Sequence, residues 1–287
     1  MTVLAAPPVP RRRERRPVRL RLRSTVAVAL AGAVGLVAFL WPFAVTPGRF
    51  GSIYTAPLMF GALLLLVLAV VFAEIADGGI NATELAMLGV LSAVNAALRP
   101  LGAGTAGIEM VFFVIILAAR VFGPGFGFTL GCTSLFASAV ITGGVGPWMP
   151  YQMFGCAFVG LFAGLLPPCK PKYEVLMLAA YGVLAGYLFG LLLNLQFWPF
   201  SVDPGSSIAY LPGASFATQW HRYLVFDATT SLAWDTGRAV TNAVCILLIG
   251  RPTLVTFRRA ARRAAFHAPV RFDPATASTN ATTPSPA

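Results

Sequence analysis

Asp235 and Arg238 stand three residues apart in an otherwise apolar stretch, a spacing that lets a carboxylate and a guanidinium pair on one helix face. A charge held in hydrocarbon is costly without such a partner. The pair therefore serves one of two ends, a structural ion pair that fixes helix packing or one wall of a polar ligand pocket. Asp227 lies two turns earlier, and Trp234 is on the same predicted helix. Glu109 opens another apolar segment just after the turn from Arg99 to Gly104. Arg99 and Glu109 either meet at a pocket mouth or cap their own helices. Asn95, Gln152, Asn194 and Gln196 place amides in or near apolar runs, where an amide needs a partner from the protein or from a ligand. Trp148 and Tyr151 flank the proline-bracketed turn before one of those runs. The candidate substrate-binding set is Asn95, Arg99, Glu109, Trp148, Tyr151, Gln152, Asn194, Asp227, Trp234, Asp235 and Arg238.

No residue spacing points to covalent chemistry. The chain has no G-x-x-x-x-G-K-[ST] phosphate loop, no H-E-x-x-H and no G-x-S-x-G, so neither ATP hydrolysis by that route nor metal-assisted or serine hydrolysis is expected of it. The glycines from Gly123 to Gly127 open an apolar helix without a preceding soluble strand, which makes them a turn and not a dinucleotide site. Cys132, Cys156, Cys169 and Cys245 lack metal-ligand spacing, and predict neither a disulfide nor a metal site. The expectation is a non-enzyme with no cofactor and no catalytic residues.

The elements that must position the polar residues follow from composition. Of 287 residues, 57% are hydrophobic and 11% charged, against roughly 25% charged in a soluble domain. The reading is an all-α polytopic membrane bundle. Crossing a core of about 30 Å takes about 20 apolar residues, which places spans near 25–43, 56–76, 84–98, 107–121, 124–142, 147–166, 174–197 and 222–250, eight in all. The net charge of +11 sits mostly in two tails, 1–24 with eight Arg and 251–287 with six. Such tails set membrane orientation and meet anionic headgroups, so nucleic acid is not an expected partner. With eight spans, Arg120, Lys170 and Lys172 fall on the same side as both tails. The positive-inside rule then makes that side cytoplasmic in a multi-pass protein of the cell membrane. The opposite side carries the aromatic segment 198–221, either an interfacial belt or a cap over an outward pocket.

Small residues recur every fourth position: Gly89, Ala93 and Ala97 on the third span, Gly127 and Gly131 on the fifth, Gly160 and Gly164 on the sixth, and Gly182, Gly186 and Gly190 on the seventh. Each series lines one helix face and admits a close neighbour. Packing inside the bundle accounts for most of them, while the third span is a candidate for contact with a partner helix.

From about Glu84 to Arg263 the sequence resembles the substrate-binding membrane subunits, called S components, of energy-coupling factor transporters, especially an actinobacterial branch. The resemblance is carried by the stretches 86–100 (AMLGVLSAVNAALRP), 120–127 (RVFGPGFG), 146–153 (GPWMPYQM) and 234–239 (WDTGRA). It implies a six-helix core over 79–250, with residues 25–78 as an addition of two helices. It also implies high-affinity capture of a vitamin or micronutrient on the outer side, under loops that correspond to Arg99 to Gly107 and Gly143 to Pro150. The family's transport step is a toppling of the whole subunit, driven by a separate transmembrane coupling subunit and two ATPases. Its first core helix offers an A-x-x-x-A surface to the coupling subunit, a pattern that Ala93 and Ala97 match and Gly89 extends.

Two other function classes remain open. A self-contained secondary transporter predicts inverted repeats and helices broken at the midplane; no convincing repeat is present. A membrane scaffold would use the polar residues for packing alone. For a receptor, a pocket rich in Trp, Tyr and amides suits a mostly neutral, ring-containing ligand, and cobalamin or a precursor is expected by likeness to the actinobacterial branch.

Overall fold

The computed structural model describes residues 22–44, 62, 65, 69, 82–102 and 105–263. Among these every element is helical: α1 (Leu22–Phe39), the short α2 (Trp41–Ala44), α3 (Ala82–Leu98) running into a 3-10 turn (Arg99–Leu101), α4 (Val111–Phe122), α5 (Pro124–Thr142), α6 (Met149–Leu165), α7 (Pro171–Ser201), α8 (Phe216–Thr230) and α9 (Leu232–Arg263). The fold is the expected helical membrane bundle. Four stretches, Glu84–Leu101, Pro124–Thr142, Pro171–Ser201 and Leu232–Arg262, are long and apolar enough to cross a bilayer, and Val28–Phe39, Val111–Phe122 and Met149–Leu165 are shorter apolar helices. The second expected span, 56–76, lies outside the described residues except for 62, 65 and 69.

Local signals explain several helix ends. Pro124, Pro150 and Pro171 stand in the first turns of α5, α6 and α7, where a missing N–H costs nothing. Gly143, at φ +68, closes α5 with its N–H on the Ala139 carbonyl, a left-handed cap that glycine adopts without strain.

Several expected boundaries differ; the seventh span, for one, runs over Pro171–Ser201 and not 174–197. The fourth span begins at Val111 and not at 107, because 105–110 form a turn and an irregular stretch. The eighth, 222–250, is broken at Ser231 into α8 and α9. There Thr229 and Thr230 turn their hydroxyls back onto the carbonyls of Val225 and Phe226, each at 2.7 Å, a local competition that bends or ends helices. Finally, the basic tail expected from 251 is helical to Arg263. With 32 residues, α9 is about 48 Å long, so its arginine-bearing end projects beyond a core of about 30 Å.

Helix association in lipid rests on close packing, since lipid is as apolar as the helices themselves. Two glycine seams supply it. Gly127 of α5 and Gly160 of α6 meet backbone to backbone, with Gly131 against Cys156 and Ala157 and Gly164 against Pro124. On α7, Gly182 faces Asn242 and Ile246, Gly186 faces Ala239, and Gly190 faces the Asp235 carboxylate, so α9 runs antiparallel along it. By contrast Gly89, Ala93 and Ala97 are exposed on α3, and a Cβ on Gly89 would meet nothing within 4 Å. The opposite face of α3, with Leu88, Leu91, Ser92 and Asn95, is buried. Helix α1 lies elsewhere, its Phe39 on Tyr151 at 5.3 Å between ring centroids and its Gly35 against Phe154.

At one end of the bundle Glu174, at the start of α7, accepts from Arg120 of α4 at 2.9 Å and Arg258 of α9 at 2.7 Å. Arg120 also donates to the Leu166 carbonyl that ends α6, at 2.8 Å. One buried carboxylate thus ties four helices at this arginine-rich end.

Candidate functional site

A cleft of about 700 Å³ opens at the other end, where α3, α5 and α7 finish and α4, α6 and α9 begin. Arg99, Glu109, Trp148, Gln152, Trp234 and Arg238 line it, together with Phe189, Leu193, Gln196 and Phe197 of α7, Thr142 at the end of α5, and Pro100, Ile108 and Gly144 of the connecting turns. The volume lies within the range of sites that bury drug-sized ligands, and apolar walls with a few polar groups are their usual composition.

The charged floor is built by an unusual backbone approach. Gly107 has φ +77, and a Cβ there would fall on the carbonyl oxygen of Trp234; a Cβ on Gly237 would fall on the carbonyl oxygen of Ala106. The 106–107 backbone therefore rests directly on the first turns of α9, which brings Glu109 against Arg238. Arg238 donates to Glu109 Oε2 at 2.7 Å, to Asp235 Oδ1 at 2.5 Å and to the Gly186 carbonyl at 3.4 Å. Its guanidinium lies 5.0 Å from the Phe189 ring centroid, a cation–π contact of use where water is scarce. Two carboxylates share one guanidinium, so this group carries one surplus negative charge. Arg99, on the α3 side, donates to Gln152 Oε1 at 2.9 Å.

Arg99 and Glu109 thus reach the same cleft without pairing to each other in its hydrogen-bond network. Asp235 and Arg238 do pair as their spacing predicts, but Asp235 points at Gly190 and does not line the cleft. Four other expected residues also lie away from it. Asn95 is fully buried between α3 and α5, its Nδ2 on Ser134 Oγ at 3.0 Å. Tyr151 turns from the cleft toward Phe39 of α1. Asn194 bridges Asp227 at 2.6 Å and Ser231 at 2.5 Å, so these residues join α7 to the α8–α9 break. The aromatic segment splits as well. Trp198 is buried, donating to the Ile208 carbonyl at 2.8 Å, within a cluster that includes Tyr223 and Phe226.

Sequence reasoning missed Phe189 and Leu193, whose apolar types look like any lipid-facing residue, and the positioning glycines Gly107 and Gly237. Among the described residues no group of three or more His, Cys, Asp or Glu is placed to hold a metal ion. Comparison of the chain with protein-family models, with curated proteins and with solved structures finds no match.

Proposed function

We propose that this chain is the substrate-specific membrane subunit of an energy-coupling factor importer, capturing a vitamin-type micronutrient from outside the cell for import driven by partner subunits. The observation that carries the reading is the placement of the cleft. It lies at the end of the bundle opposite Arg120, Arg258 and the other arginines in the last turns of α9, and the positive-inside rule assigns that arginine-rich end to the cytoplasm. The cleft then faces outward in the cell membrane, with both termini inside. Its lining supports binding over bond making: aromatic walls, two amides and two guanidinium groups, Arg238 matched by carboxylates and Arg99 held by the Gln152 amide. ATP hydrolysis belongs to two partner ATPases. A transmembrane coupling subunit docks on the exposed Gly89, Ala93 and Ala97 face of α3, which α1 leaves uncovered.

The test is direct binding of a vitamin panel, cobalamin and its precursors included, to the purified subunit in nanodiscs. Affinity at micromolar concentration or below is expected for one member; its absence across the panel overturns the reading. Uptake by this chain alone in proteoliposomes would instead mark a self-contained transporter.

A further inference from the structure

We infer that the captured molecule carries a carboxylate that docks on Arg99 and Gln152 at the α3–α6 side of the cleft. This rests on the reading of the cleft as a capture site and names the class of its ligand. The charges on the described residues at this end of the bundle are unevenly matched. Arg238 is held by two carboxylates. Arg222 is spent on the backbone carbonyls of Ser206 and Ala209, at 3.3 and 2.9 Å. Among the described residues Arg99 meets only the neutral amide of Gln152, at 2.9 Å, and both residues line the cleft. A guanidinium has five donors in a planar fork, so Arg99 keeps several free, and Gln152, accepting through its oxygen, keeps its own N–H groups. Together they match the two oxygens of a carboxylate.

The opposite wall sharpens the choice. Glu109 and Asp235 outnumber Arg238 by one charge, so the cleft is dipolar, positive at Arg99 and negative at Glu109. An anion is steered to the Arg99 end. A single Arg99 beside a surplus negative charge balances a monoanion better than a phosphate dianion. Trp148 and Trp234, half-exposed at the cleft, offer ring faces to the remainder of the molecule. The class is a ring-bearing monocarboxylic acid.

Acid and amide pairs read this directly. The wild-type protein in nanodiscs is titrated with nicotinate and nicotinamide, biotin and biotinamide, and also with pyridoxal 5′-phosphate, riboflavin, thiamine and cobalamin. The tightest binder is expected to be a carboxylic acid, at least about tenfold tighter than its amide, as loss of a charge-assisted hydrogen bond requires. Arg99→Gln should bring that ratio to within about twofold of unity, Arg99→Lys should keep part of it, and Arg259→Gln at the far end should leave it unchanged. A tighter neutral, cationic or phosphorylated member overturns the inference while leaving the capture reading in place, as does a ratio that survives in Arg99→Gln. If no compound binds, the capture reading itself falls, and the inference with it.

Discussion

Replacing Arg238 by Met isolates the charged floor of the cleft. Methionine keeps the unbranched stem that packs near Phe112 and Phe189 and removes the guanidinium that serves both Glu109 and Asp235. The two carboxylates respond differently. The Glu109 side chain is 21% exposed and regains water, so its share of the cost is small. The Asp235 side chain is 4% exposed and sits against the Gly190 backbone, with no room for a water shell. Breaking a buried pair from one side costs about 3–5 kcal/mol, and nearly all of it here falls on Asp235. The unfolding equilibrium should therefore shift by about two to three and a half powers of ten. Adding Asp235→Asn removes the stranded charge, so the double variant should recover at least about 2 kcal/mol of the loss, within the range of coupling energies between contacting residues. Reversible unfolding in mixed micelles, followed by tryptophan fluorescence, measures all three forms. A single variant within about 1 kcal/mol of wild type, or a double variant no more stable than the single, would refute the assignment of Arg238 as the counter-ion of a buried Asp235.

Gly107→Ala forces a side chain into a left-handed backbone and onto the Trp234 carbonyl; strain of about 1–3 kcal/mol should lower stability and loosen the Glu109–Arg238 contact, and unchanged stability and ligand binding would contradict the proposed seating of the loop on α9. Ala93→Leu with Ala97→Leu changes an exposed face, so stability should move by no more than about 0.5 kcal/mol and ligand binding should hold, while co-purification with the proposed coupling subunit falls; undiminished co-purification removes α3 as the proposed docking face. Glu174→Gln leaves Arg120 and Arg258 without their shared carboxylate and should destabilise the arginine-rich end by about 1–3 kcal/mol, seen as faster hydrogen exchange near residues 166–174 and 254–258, with ligand affinity at the distant cleft unaffected. Exchange unchanged at that end would mean that the cluster does not hold the four helices together.

Where a residue's role is set by its near neighbours in sequence, it was legible. Pro124 and Gly143 bracket α5, and its ends match the expected 124–142. The Asp235–Arg238 pair follows from one turn of helix. The polar and aromatic residues nearest the turns, Arg99, Glu109, Trp148 and Gln152, do converge on one cleft, because an up-and-down bundle gathers alternate turns at one end. Legibility failed where a distant segment decides. Nothing local says that Asn95 will find Ser134 or that Tyr151 will turn toward Phe39. The break at Ser231 falls in a polar stretch, Asp227 to Arg238, that is absorbed when 222–250 is read as one span. The run Thr229-Thr230-Ser231 is its local signal, but Asn194 of α7 is what gives Ser231 a partner. Gly107 and Gly237 look like an ordinary turn glycine and helix glycine until their close backbone contacts are seen.

The two glycine seams have a mechanical consequence. Backbones in direct contact leave no compressible layer of side chains between them, so α5 with α6, and α7 with α9, behave as two stiff plates. Helix α4 packs against both, touching one through Ala119 against Gly127 and the other through Phe112 against Phe189, 4.7 Å apart, while the plates also meet directly where Gly155 of α6 lies against Phe189 and Tyr181 of α7 donates to the Val159 carbonyl. The cleft straddles the two plates, with Trp148 and Gln152 on one and Phe189, Trp234 and Arg238 on the other. Its width is thus set by how the two plates pack against each other and on α4, and not by any single wall.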